Sequence, residues 1–197
     1  MNKKLEHNIS QYSQHEYFNE KLERLEIDLA VKDAVHVFQN CDINDCYIYV
    51  NSDSKCTPNI LSGSRWSNCT FHAKKELSLS TIEADFEKCK FKGKWSGRIK
   101  GKVENCDFSD SNLINFTFYN NETIGTNVFS ENNTAIIESA GKHSKEIKEL
   151  LSGKSKLGLH IRPDVGLFIF NIANHKDSKT LYELLAGLPY VKFAKKA

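Results

Sequence analysis

Seven basic residues crowd one short stretch of the chain: Lys88, Lys90, Lys92, Lys94, Arg98, Lys100 and Lys102, with no acidic residue between Glu87 and Glu104. The first four alternate with Cys89, Phe91 and Gly93, the last three with Ile99, Gly101 and Val103. If the odd positions face a core, seven positive charges project from two neighbouring segments. Such a face suits a phosphate backbone or an acidic protein surface. Trp95, inside the run, carries a ring that can stack on a base or anchor a protein contact. The plain alternative is a solvated face whose lysines protect strand edges. These eight residues form the candidate partner or nucleic-acid site, and no catalytic, cofactor or metal site is expected.

Other chemistry-bearing residues do not assemble in the sequence. The seven histidines are scattered, and none has metal-site spacing with a third ligand. Gly141-Lys142-His143-Ser144 and Gly153-Lys154-Ser155 lack the earlier glycine of a phosphate-binding loop, its place taken by Ile136 and Lys148. Phe168 and Phe170 fit core packing better than the base stacking of an RNA-recognition strand. The cysteines Cys41, Cys46, Cys56, Cys69, Cys89 and Cys106 contain no Cys-x-x-Cys pair. They read as reduced, buried, small hydrophobes, which fits a reducing cytoplasmic setting.

The elements that must position these residues show in a repeat. Phe38-Gln39-Asn40-Cys41-Asp42-Ile43, Trp66-Ser67-Asn68-Cys69-Thr70-Phe71, Phe86-Glu87-Lys88-Cys89-Lys90-Phe91 and Val103-Glu104-Asn105-Cys106-Asp107-Phe108 share one pattern: apolar, any, Asn or Lys, Cys, any, apolar. Their cysteines are 28, 20 and 17 residues apart. A finer step of five lies within: Cys106/Phe108, Ser111/Leu113 and Phe116/Phe118; Cys41/Ile43 and Cys46/Ile48; Ala84/Phe86 and Cys89/Phe91. Neither a helix nor a flat strand has that period. A coil that turns a corner every five residues does. No such coil buries its apolar side alone, so the coils must stack. Lys74 and Lys94 fall where small inward residues belong, so bulges are expected there.

Residues 38–129 resemble the pentapeptide-repeat family on this pattern. The resemblance implies a right-handed quadrilateral β-helix whose interior is filled by Cys, Ser or Ala and by Leu or Phe. The competing reading is an antiparallel β-sandwich. Before the repeat, Phe18, Leu22, Leu25 and Leu29 have helical spacing, while Leu25, Ile27, Leu29 and Val31 alternate like a strand; either can cover the open end of the coil. After residue 130 the pattern changes. Thr134–Glu138, Leu157–Ile161, Val165–Ile172 and Val191–Phe193 read as strands, and Ser144–Leu151 and a segment capped by Asp177 or Ser178 as helices. The order βαββαβ is the ferredoxin-like arrangement. The expected fold is thus mainly β with an α+β part: an N-terminal segment or cap over 1–24, the β-helix over 25–130 and the small ferredoxin-like domain over 131–197.

Composition narrows the function. With 27 basic and 25 acidic side chains the net charge is +2, which excludes a globally basic nucleic-acid binder and an acidic DNA mimic. No apolar run spans a bilayer and no secretion signal opens the chain, so no membrane partner is expected. The family it resembles includes proteins that engage nucleic-acid machines such as DNA gyrase by imitating duplex DNA, but their long acidic face is missing. The expected function is a non-enzymatic binding or regulatory protein, of bacterial or phage type, that engages another protein or nucleoprotein complex through the β-helix surface. A homodimer through the C-terminal part fits the same reading. The alternatives are direct nucleic-acid binding through Lys88–Lys102, and an enzyme on a parallel β-helix. For the last, Asp107 and Asp110 lack a second acidic cluster.

Overall fold

The structure, a computed structural model, describes residues 3–9, 17–31, 37–52, 61–152 and 159–194. It is a β-solenoid of about five turns closed at one end by a small α/β unit. The chain opens on β1 (Lys3–Ile9), and the first full turn is β2 (Tyr17–Phe18), β3 (Lys21–Glu23) and β4 (Leu25–Val31). The second is β5 (Phe38–Gln39), β6 (Asp42–Asn44) and β7 (Tyr47–Ser52), and the third β8 (Arg65–Ser67), β9 (Thr70–Ala73) and β10 (Leu77–Ile82). The fourth is β11 (Asp85–Glu87) and β12 (Lys90–Ile99), and the fifth β13 (Val103–Glu104), β14 (Asp107–Phe108) and β15 (Ser111–Phe118); β16 (Val128–Phe129) adds a short strand on β14. Parallel pairing stacks β3, β6, β8, β11 and β13 into a short-side sheet, and β1, β4, β7, β9, β12 and β15 into a long-side sheet. Among the described N-terminal residues β1, β2 and β3 pair in parallel with β4, β5 and β6, so they are strands of the coil rather than a helix.

The repeated motif has a direct physical meaning. Arg24, Asp45, Asn68, Lys88 and Asn105 occupy one corner of successive turns, each with φ between 52° and 55°. Asn and Asp tolerate this left-handed bend better than other residues with a Cβ. The apolar residue before the corner points inward on the short side, and the cysteine after it points inward at the start of the long side. Its thiol donates to the carbonyl two residues earlier and to one on the preceding turn: Cys69 Sγ lies 3.2 Å from the Ser67 oxygen and 3.5 Å from that of Ile43. Cys46, Cys89 and Cys106 repeat the arrangement. Small size and a weak donor suit a site where the bend leaves corner carbonyls to satisfy.

One wall thus carries Cys46, Cys69, Cys89 and Cys106, all buried and all free thiols. Cys41 is not its first member. It lies one corner earlier, in a second wall with Ser64 on the next turn, because Asp42 pairs with Arg65 while Ile43 pairs with Trp66. Cys56 lies outside the described residues. Every pair found at the step of five is buried, from Cys41/Ile43 to Phe116/Phe118. Inside, Phe91 stacks between Phe71 at 4.9 Å and Phe108 at 4.6 Å and meets Phe86 and Trp95 edge-on.

The C-terminal unit runs β17 (Thr134–Ile137), α1 (Ser144–Leu150), β18 (Leu167–Asn171), a short 3-10 turn, α2 (Ser178–Leu185) and β19 (Val191–Phe193). Asp177 caps α2, accepting from the Thr180 amide. Of the expected strand at Leu157–Ile161, Leu159–Ile161 are irregular, and Leu157 and Gly158 lie outside the described residues. β18 pairs antiparallel with β17 on one side and with β15 on the other, so the coil and the unit share one sheet. Ile136, Leu167 and Ile169 close the solenoid core, while Ala135, Ile137, Phe168 and Phe170 face the second core beneath the helices. Phe168 and Phe170 are therefore core residues, as their sequence context suggests. No helix among the described residues is long and apolar enough to cross a membrane.

Candidate functional site

The structure spreads the predicted basic run around the coil instead of collecting it on one face. Lys88 stands at the left-handed corner and pairs with Glu87 at 3.0 Å. Lys90 reaches Asp110 at 2.9 Å and Asp107 at 3.2 Å on the next turn. These carboxylates raise the Lys90 ammonium above its ordinary value. Burial alone would push Asp107 upward, but hydrogen bonds from Ser109 and from Lys90 outweigh it and hold the carboxyl below its usual range. Lys100 pairs with Glu83 at 3.1 Å, and Lys102 projects from the short side. That leaves Lys92, Lys94 and Arg98, all on β12, without an ion-pair partner among the described residues.

Trp95 is not a surface anchor. It is fully buried, and its indole nitrogen donates to the Lys92 carbonyl at 2.9 Å. The cause is the expected irregularity in β12. Gly93 has φ +95°, and the register with β15 shifts between Trp95 and Ser96. A Cβ on Gly93 would stand 2.3 Å from the Ala73 carbonyl oxygen, so only glycine lets the two turns approach there. At the bend Lys94 turns outward, against the step of five that would place it inward, while Trp95 stays buried with Phe91 and Ile99. Lys74 is likewise exposed, and Ala73 fills the inward place.

The long-side sheet carries an aromatic cluster that the linear sequence hides. Cross-turn register places Asp28, Tyr49, His72 and Lys92 in one outward row, and Glu26, Tyr47, Thr70 and Lys90 in the next. The Tyr47 and Tyr49 rings lie 4.6 Å apart, and Tyr49 lies 5.8 Å from the His72 ring. Lys74 sits 4.8 Å over the Tyr49 ring and pairs with Asp28 at 3.3 Å. The rings are half-buried, each with one edge on the sheet and one in solvent. Rigid, amphipathic side chains of this kind supply much of the contact energy at protein interfaces.

The short-side sheet differs. Its outward row reads Lys21, Asp42, Arg65, Asp85 and Lys102, so the charge alternates from turn to turn. Arg65 Nε meets Asp42 at 2.8 Å, and Asp85 accepts from the Lys102 amide at 2.7 Å. The shallow groove there, about 510 Å³, also carries Glu23, Glu87 and Glu104. No group of three or more metal-ligating side chains comes together among the described residues. Comparison of the chain with protein-family models, with curated proteins and with solved structures gives no match.

Proposed function

We propose that this chain is a binding protein that engages another protein or nucleoprotein complex through the outer face of its long-side sheet. The observation that carries the reading is the Tyr47–Tyr49–His72 cluster, held in register on a rigid sheet and continued on the next turn by the unpaired Lys92. Aromatic rings with a nearby cation are the usual centre of a protein contact, and a pre-formed sheet limits the entropy lost on docking. The coil is a degenerate one of the pentapeptide-repeat kind, a reading supported by Val103, Phe108, Leu113 and Phe118, inward at successive steps of five. The C-terminal unit is a ferredoxin-like variant in which β15 takes the place of the missing second strand. The strand order β19–β17–β18 and the antiparallel β15–β18 pairing support this.

The test is comparative. Immobilised wild-type chain, Tyr47→Ala/Tyr49→Ala and Arg65→Ala are matched for fold by circular dichroism and used to capture partners from bacterial lysate. A partner retained by wild type and Arg65→Ala but lost by the tyrosine variant supports the reading; capture that ignores the tyrosines overturns it. The second reading, direct nucleic-acid binding, draws on the unpaired Lys92, Lys94 and Arg98. It requires affinity that falls steeply with salt and is abolished by Lys92→Glu/Lys94→Glu.

A further inference from the structure

A second feature goes beyond both readings above, although it shares Arg98 with the second. Where the long-side sheet meets the C-terminal unit, a groove of about 700 Å³ opens on the outer surface. Small-molecule sites span ~300–1,000 Å³, so its size is that of a ligand site. Two in-register rows make its floor. Ser78, Ser96 and Asn115 form one, and Thr81, Arg98 and Thr117 the other. The second row runs on to Phe168, where β18 joins the sheet and the helix layer begins. Leu159, His160, Phe168 and His175 wall that end.

The floor is rich in uncommitted polar groups. The hydroxyls of Ser78, Thr81 and Ser96 and the amide of Asn115 make no protein hydrogen bond among the described residues, whereas Thr117 Oγ1 donates to the Gly97 carbonyl. Arg98 has no ion-pair partner among the described residues, and no carboxylate lines the groove. The short-side groove, by contrast, carries five. The acid-free lining continues past the shared Leu159 and His160 onto Lys145 and Lys148 of α1. His175 stacks edge-on against Phe170, and burial lowers its proton affinity, so it faces a ligand as a neutral donor or acceptor.

A lone guanidinium in an acid-free groove selects an anion, and its planar fork takes a carboxylate or phosphate bidentately. Hydroxyls and an amide at the strand spacing of ~4.8 Å suit the alternate, 1,3-related equatorial hydroxyls of a sugar ring rather than an apolar ligand. We propose that this groove binds a small anionic sugar, with its phosphate or carboxylate on Arg98 and its hydroxyls along the Ser78–Ser96–Asn115 row.

The test uses the full chain, labelled with ¹⁵N, and four probes: glucose 6-phosphate, glucuronate, glucose and inorganic phosphate. Saturable amide shifts confined to residues 96–98 and 115–117 are expected with glucose 6-phosphate, glucuronate or both, and the stronger of the two identifies the anion. Glucose and inorganic phosphate should bind at least about tenfold more weakly, since each supplies only half of the contacts. Arg98→Gln should weaken binding by about tenfold or more, and Asn115→Asp, which leaves Arg98 in place but adds a negative charge to the floor, should do the same. Lys88→Gln, at a distant corner, should bind as wild type. Three outcomes overturn the site: no saturation by either anionic sugar, equal binding of inorganic phosphate and glucose 6-phosphate, or an Arg98→Gln variant, folded by its amide spectrum, that binds as wild type.

Discussion

The two outer faces of the solenoid are built from the same turns, yet they treat charge in opposite ways. On the short side the row from Lys21 to Lys102 alternates in sign, so each charge has its opposite as the register neighbour on the next turn, and Arg65 pairs with Asp42. On the long side Lys90 is satisfied by Asp107 and Asp110, but Lys92, Lys94 and Arg98 have no ion-pair partner among the described residues. The difference teaches how a repeat protein separates cohesion from contact. Parallel in-register stacking sets identical positions about 4.8 Å apart, so like charges in one row repel unless the sequence alternates them. A face that alternates is self-satisfied and has little left to offer a partner. A face that interleaves rings and unpaired cations keeps its binding capacity.

Both faces hang on one interior, and the largest effect tests that premise. Phe91 is stacked on both sides by rings from neighbouring turns. Phe91→Ala should cost about 3–5 kcal/mol, read as a shift of the denaturant midpoint. The loss should appear in one transition seen equally by probes on the two faces. Separate transitions would mean that the faces do not share a core, and a near-neutral result would mean that the inward register is wrong.

The next contrast sets one face against the other. Arg65→Glu places three acids in a row, Asp42, Glu and Asp85, and should cost about 0.5–1 kcal/mol at low salt, shrinking as salt screens the pairs. Lys92→Glu on the long side breaks no ion pair and should change stability by less than about 0.5 kcal/mol. Thermal melts of both variants across a salt series measure the difference. Equal costs would remove the distinction between the faces.

How much of this was legible in the chain follows from how far each feature reaches. The inward pairs could be read because one turn's corner geometry is local: apolar, corner Asn, small, then apolar again. The wall assignment failed at Cys41 for a local reason too. Each early turn has two left-handed corners five residues apart, Asn40 and Asp45 in the second, and both accept Asn or Asp. The motif around Asn40 matched the one around Asn68 by type, yet the true equivalent is Ile43-Asn44-Asp45-Cys46. Trp95 was misplaced as an exposed ring although the odd-position alternation that buries Phe91 and Ile99 runs through it. The tyrosine cluster and the Arg98 groove were invisible for a different reason: Tyr49 and His72 are 23 residues apart, and Arg98 and Thr117 are 19 apart. Unequal turn lengths hide which residues become neighbours. The β15–β18 pairing was hidden as well, since β15 comes from the last turn of the coil rather than from the C-terminal unit.

The smallest effect concerns a place on the long side where charge is satisfied. The Asp107 carboxyl is held below its ordinary value, with Ser109 and Lys90 as donors. A depressed folded-state value means that the folded protein releases the proton more readily than the unfolded chain. The carboxylate therefore adds stability that is present above the unfolded carboxyl range, near pH 4, and is lost as pH falls through the lower folded value. The side chain is 37% exposed, so solvent screens the pair and the contribution stays below about 1 kcal/mol. Asp107→Asn should remove it: the variant should be slightly less stable than wild type at pH 7 and should converge on it in acid, in melts taken from pH 7 down to pH 3. Lys92→Gln should leave the pH profile unchanged, because no carboxylate partners it. A profile that Asp107→Asn leaves untouched would show that Asp107 adds nothing and that Lys90 rests on Asp110 alone.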